Sequence, residues 1–138
     1  MKEVRIYIHI LILLVFIVCL SSCKKPEGPG GQASVKGKVY ASDFDNTNTY
    51  LVSKGYFPGI KVYIIYGNGT EIGNSVVTST DGSYEFKYLN KGHYKVFANS
   101  IDTSRKVKGN DSEKAVIKEF EIKEAKKKVT VEDIFINI

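Results

Sequence analysis

Thr80-Asp81-Gly82-Ser83-Tyr84-Glu85-Phe86 and, just beyond, Asn90-Lys91-Gly92-His93-Tyr94-Lys95-Val96 decide how this chain folds. Each stretch opens on turn-forming residues and passes into alternation of apolar and polar side chains. Tyr84 and Phe86 fall on one face with Glu85 and Lys87 on the other, and Tyr94, Val96 and Ala98 repeat the pattern. A period of two residues belongs to a strand with one face buried. Working outward, Val35, Gly37 and Val39 alternate with Lys36, Lys38 and Tyr40; Ile60, Val62, Ile64 and Tyr66 alternate with Lys61, Tyr63 and Ile65 as far as the Gly67-Asn68-Gly69 turn. Val76–Thr80 reads as a short strand and Val129–Ile136 as a last one. Residues 112–128 are rich in Glu, Lys and Ala, yet Val116, Phe120 and Ile122 between Glu119, Glu121 and Lys123 fit alternation better than a helical stripe. Val129 and Val131 differ in parity from Ile134, Ile136 and Ile138, which predicts a β-bulge near Glu132-Asp133.

Seven such strands with close turns predict an all-β fold of two antiparallel sheets packed face to face. Its expected core is Val35, Val39, Val62, Ile64, Tyr84, Phe86, Tyr94, Val96 and Phe120. The 138 residues suffice for one domain, and nine Tyr with seven Phe exclude a wholly disordered chain.

The segments Val35-Lys36-Gly37-Lys38-Val39, Phe57-Pro58-Gly59-Ile60-Lys61-Val62, Thr80–Phe86 and Gly92–Val96 resemble the carboxypeptidase regulatory-like domain. The resemblance covers residues 34–136 and implies a seven-stranded, transthyretin-like (prealbumin-like, Ig-like) sandwich. Its motifs serve turns and core, so it speaks to fold and little to activity. Some transthyretin-like proteins hydrolyse a urate-derived ring, but the several histidines of that activity are missing here.

The N-terminus carries a second pattern. Lys2 and Arg5 precede an apolar run from Ile6 to Leu20, too short to span a bilayer comfortably, and the run ends in Leu20-Ser21-Ser22-Cys23. This resembles the lipobox of bacterial lipoproteins, which implies a lipid on Cys23, loss of residues 1–22 as a signal peptide, and a membrane partner held through that lipid. The expected place is the bacterial cell envelope, at the outer membrane, facing the periplasm or the exterior. Cys19 would leave with the signal, so neither cysteine catalysis nor an internal disulfide is expected. Residues 23–32, with two Pro and three Gly, read as the lipidated cysteine and a flexible tether, and residues 33–138 as the sandwich.

The chemistry-bearing residues are few. The net charge of +5 falls to +4 without residues 1–22, and the basic residues are scattered along strands, so no nucleic-acid partner is expected. Lys126-Lys127-Lys128 reads as a solvated turn, and His93, alone beside Gly92, as an exposed polar residue. No nucleophile elbow, phosphate loop or zinc ligand set is present, so no enzymatic activity and no cofactor is expected. Asp43, Asp45, Asn46 and Asn48 offer oxygens that calcium could use, but their spacing lacks the Gly and distal Glu of a helical calcium loop, and no metal site is assigned. The connection from Asp43 to Pro58 is long for a structureless loop, and Asp43, Asp45, Tyr50, Tyr56 and Phe57 in it are the candidate binding residues. The expected function is a lipid-anchored, non-catalytic binding or assembly module, contacting an envelope protein or a glycan through this loop and outward tyrosines. The alternatives are a pilus-like subunit assembling by strand addition and a hydrolase using loop carboxylates such as Asp43 and Asp45.

Overall fold

The computed structural model describes residues 25–102 and 113–138. The signal segment, the Leu-Ser-Ser-Cys box and Cys23 lie outside the described residues. Among the described residues nine strands follow one another: β1 Pro29–Phe44, β2 Leu51–Tyr56, β3 Lys61–Tyr66, β4 Ile72–Val77, β5 Ser83–Leu89, β6 Gly92–Ser100, β7 Lys114–Ile122, β8 Lys128–Thr130 and β9 Ile134–Asn137. They form two sheets, one of β4-β3-β6-β7 and one built around β1. The fold is all-β, as the alternation predicts.

β1 is long enough to hold two partners along each edge. One edge pairs with β5 and then β2; the hand-over is at Val39, whose N–H donates to the Gly82 carbonyl (2.9 Å) and whose carbonyl accepts from the Phe57 N–H (3.3 Å). The other edge pairs with β8 and then β9. Both of these run parallel to β1, so the expected antiparallel order fails there. The physical reason is that β7 belongs to the other sheet, and the chain reaches β1 by crossing between sheets rather than by a hairpin. No β-bulge stands near Glu132-Asp133: a break at Val131–Asp133 divides the expected last strand into β8 and β9. It restores the phase, since Val131, Ile134 and Ile136 are all buried.

Two other expectations are corrected. The connection from Asp43 to Pro58 is mostly a β-hairpin: β1 continues through Asp43 to Phe44, a turn follows, and β2 returns with Ser53 opposite Asp43 and Tyr56 opposite Tyr40. β2 escapes the periodicity test because it is an edge strand exposed on nearly every residue, so burial imposes no alternation on it. Its open edge is guarded against further strand pairing by a register shift opposite Asp43 and Phe44 and by Lys54. The third expected strand, Val76–Thr80, runs instead over Ile72–Val77, pairing with β3 across a shift at Ile64 and Ile65. Together with the split last strand, β2 brings the count from seven to nine.

The core lies between the sheets. Val35, Val39, Val62, Ile64, Tyr84, Phe86, Tyr94 and Val96 are buried as the alternation requires, joined by Ala33, Leu89, Ile122, Ile134 and Ile136. Phe120 is half-buried and stacks on Tyr94, with centroids 5.5 Å apart and planes 13° from parallel.

Candidate functional site

Tyr40 faces outward from β1 because its neighbours Val39 and Ala41 face inward. Register places Tyr56 of β2 on one side of it and Phe135 of β9 on the other. The three rings form a row across the outer face of the larger sheet. Tyr40 meets Tyr56 edge to face, centroids 5.4 Å apart, and Phe135 at a tilt, 5.7 Å apart. Both spacings lie in the range where aromatic pairs attract beyond area burial. Tyr56 and Phe135 stay 46% and 62% exposed, a large apolar surface to leave wet.

Polar groups flank the row. The Tyr56 hydroxyl donates to Asp133 Oδ2 (2.7 Å), and this bond to a carboxylate holds the phenol above its ordinary pKa. Lys38 Nζ lies 4.8 Å from the Tyr56 ring centroid and 3.2 Å from Asp81 Oδ2. Asp81 accepts from the Ser83 hydroxyl (2.6 Å) and the Ser83 N–H (3.1 Å); those bonds, then Lys38, hold its carboxyl at about 2. Beside the row, Lys36, Gly37, Lys38, Asp81, Ser83, Thr130, Val131 and Asp133 line a depression of about 410 Å³.

Beneath Gly37 lies the Tyr84 ring, and a Cβ at position 37 would come within 2.5 Å of its hydroxyl, so only glycine leaves room. That hydroxyl is buried and has no hydrogen-bond partner among the described residues. Burial first, and Asp133 second, push its pKa far above the ordinary phenol value. An unpaired buried hydroxyl costs about 1–3 kcal/mol of desolvation. Tyr84→Phe should therefore leave stability unchanged or raise it, read as the midpoint of a denaturant melt. A loss above about 2 kcal/mol would mean that the hydroxyl is paired in solution.

Asp45 belongs to the hairpin turn: Oδ1 accepts from the N–H groups of Thr49 (2.8 Å) and Tyr50 (3.0 Å), and Oδ2 from the Thr47 hydroxyl (2.6 Å). These bonds hold its carboxyl at about 2 and occupy both oxygens, the signature of an Asx-type turn. Asp43 lies in β1 with Ser53 Oγ 3.5 Å from its Oδ2. Tyr50 stands exposed where the turn enters β2. Phe57 packs partly on the core, its carbonyl accepting from the buried Thr78 hydroxyl (2.7 Å). Only Tyr56 of the five joins the ring row. Tyr40, Phe135, Lys38, Asp81 and Asp133 carry the rest of the site without having been singled out; the legible signal was the parity that turns Tyr40 away from Val39.

His93 is exposed, with Nε2 3.9 Å from Glu121 Oε1, beside a depression of about 320 Å³. Its lining offers no serine, threonine or cysteine to act as nucleophile. Among the described residues no three His, Cys, Asp or Glu side chains gather to hold a metal ion.

No family model and no curated protein matches the chain. A solved structure from Pseudomonas aeruginosa, a candidate carbohydrate-binding protein, aligns over 81% of this chain and 92% of its own, at 10% identity and a TM-score of 0.44. A likeness of that level says nothing of ligand or activity.

Proposed function

We propose that this protein is a non-catalytic binding module of the bacterial cell envelope, lipid-anchored at Cys23, with a carboxypeptidase regulatory-like domain that takes a glycan on the outer face of its larger sheet. The observation that carries the ligand class is the exposed row of Tyr56, Tyr40 and Phe135 with Asp133, Asp81 and Lys38 at its flank. A sugar ring has an apolar C–H face and a rim of hydroxyls. The first suits an aromatic side chain, and the second needs charged donors and acceptors already held in place. The anchor rests on the Leu-Ser-Ser-Cys box after the charged start and short apolar run.

Two measurements test the reading. Mass spectrometry of the membrane-extracted protein should show Cys23 as the lipidated first residue; an unmodified Cys23 still preceded by Ser22 would overturn the anchor. Titration of the labelled domain with a panel of neutral and amino-sugar oligosaccharides, followed by amide chemical shifts, should move Tyr40, Tyr56, Phe135 and Lys38 together. Shifts confined to the other sheet, or none with any oligosaccharide, would overturn the glycan site.

A further inference from the structure

The composition of residues 23–32 predicts a loose spacer that keeps the domain off the membrane. The structure shows its latter part fastened down. Asn90 Nδ2 donates to the carbonyls of Pro26 (3.0 Å) and Pro29 (3.2 Å), and the Asn90 N–H donates to the Gly28 carbonyl (2.9 Å). The Gly28 N–H donates to the hydroxyl of the buried Tyr94 (3.0 Å), which itself donates to the Asn90 carbonyl (2.8 Å). Glu27 lies so close over Gly92 that a Cβ there would collide with it. Residues 26–29 are thus tied to the turn between β5 and β6, and β1 starts at once.

Only three peptide steps separate Cys23 from Pro26, at most about 11 Å of extended chain. We infer that the sandwich rests on the phospholipid surface by the end that carries Pro26, Asn90 and Lys91, and so projects its hairpin turn away from the bilayer. The inference rests on the reading of Cys23 as the lipid attachment. At that end a groove of about 990 Å³ is lined by Lys25, Glu27, Lys91, Glu121, Ile122 and Lys123. Lys123 is paired with Glu121 (3.5 Å), and Glu121 also lies 3.9 Å from His93. Lys25 and Lys91 have no ion pair among the described residues, which leaves two ammonium groups to meet headgroup phosphates. β1 runs away from this end; Pro29 and Ala33 both stand opposite Leu89, so the extended run counts from Ala33 and puts Tyr40 about 23 Å along it and the turn after Phe44 about 36 Å, at the rise of an extended strand. The membrane end and the ring row therefore do not compete: the short linkage presents the row to the space beyond the bilayer.

The test uses the full chain, expressed with its leader and reconstituted in vesicles of phosphatidylethanolamine and phosphatidylglycerol that carry a headgroup quencher. Once Cys23 is acylated and Cys19 removed, a cysteine introduced by Lys123→Cys or Lys54→Cys is the single free thiol for a fluorophore, and both variants keep Lys25 and Lys91. Quenching should be several-fold stronger at position 123 than at 54. Equal quenching, or stronger quenching at 54, with Cys23 shown by mass spectrometry to be acylated in the same sample, overturns the orientation and leaves the anchor standing. An unacylated Cys23 overturns both.

Discussion

Phe86→Ala should cost about 3–5 kcal/mol of folding stability, the range for truncating a large aromatic in a core that cannot collapse around the cavity. Phe86 is 3% exposed, stands opposite Val35 in the ladder between β5 and β1, and meets Tyr84 at 6.1 Å and 66°. Collapse is opposed on both sides. Tyr84 is held under Gly37, and β1 cannot move inward without straining partners along both of its edges. Denaturant melts of the chain from Lys25 onward, with and without the substitution, give the difference directly. A loss below about 1 kcal/mol would show that the ring does not fill the space between the sheets.

The second large effect is on binding. Tyr56→Ala with Phe135→Ala removes the two exposed rings of the row and leaves Tyr40 between them. If these rings are the anchors, each truncation should cost at least about 2 kcal/mol, roughly 30-fold in affinity for whichever oligosaccharide shifts the row, and the pair should abolish measurable binding. Both side chains are about half exposed or more, so the double variant should stay folded and lose about 1–3 kcal/mol, the worth of two aromatic pairs. Tyr63→Ala is the control. Tyr63 stacks with Phe97 at 4.9 Å on the outer face of the other sheet, so its loss should leave affinity unchanged. Retained binding in the double variant, or lost binding in the control, would move the contact surface to the four-stranded sheet.

Both predictions separate what alternation can report from what it cannot. Phe86 was legible as a core residue because its neighbours Glu85 and Lys87 are charged and the turn at Thr80-Asp81-Gly82 sets the phase. The same logic placed Val35, Val62, Tyr94 and Val96, for burial on one face writes itself into the local pattern of a strand. Asp45, by contrast, read as a candidate ligand and serves as the cap of a hairpin turn, because composition shows that an oxygen is present but not where it is spent.

The alternation of side chains was enough to read the sandwich domain as all-β, to say which side chains of β1, β3, β5 and β6 turn inward, and to locate the change of phase in the final strand. Those are local properties, set by the competition of each residue between water and the interior. Long-range pairing made β2 an exposed edge, laid β8 and β9 parallel to β1, and brought Tyr56 to Asp133 across a separation of 77 residues. It alone fastened Pro26 and Pro29 to Asn90. These are matters of register and edge order between segments distant in the chain, where pairing depends on which backbone donors and acceptors meet; no residue's own polarity encodes that meeting.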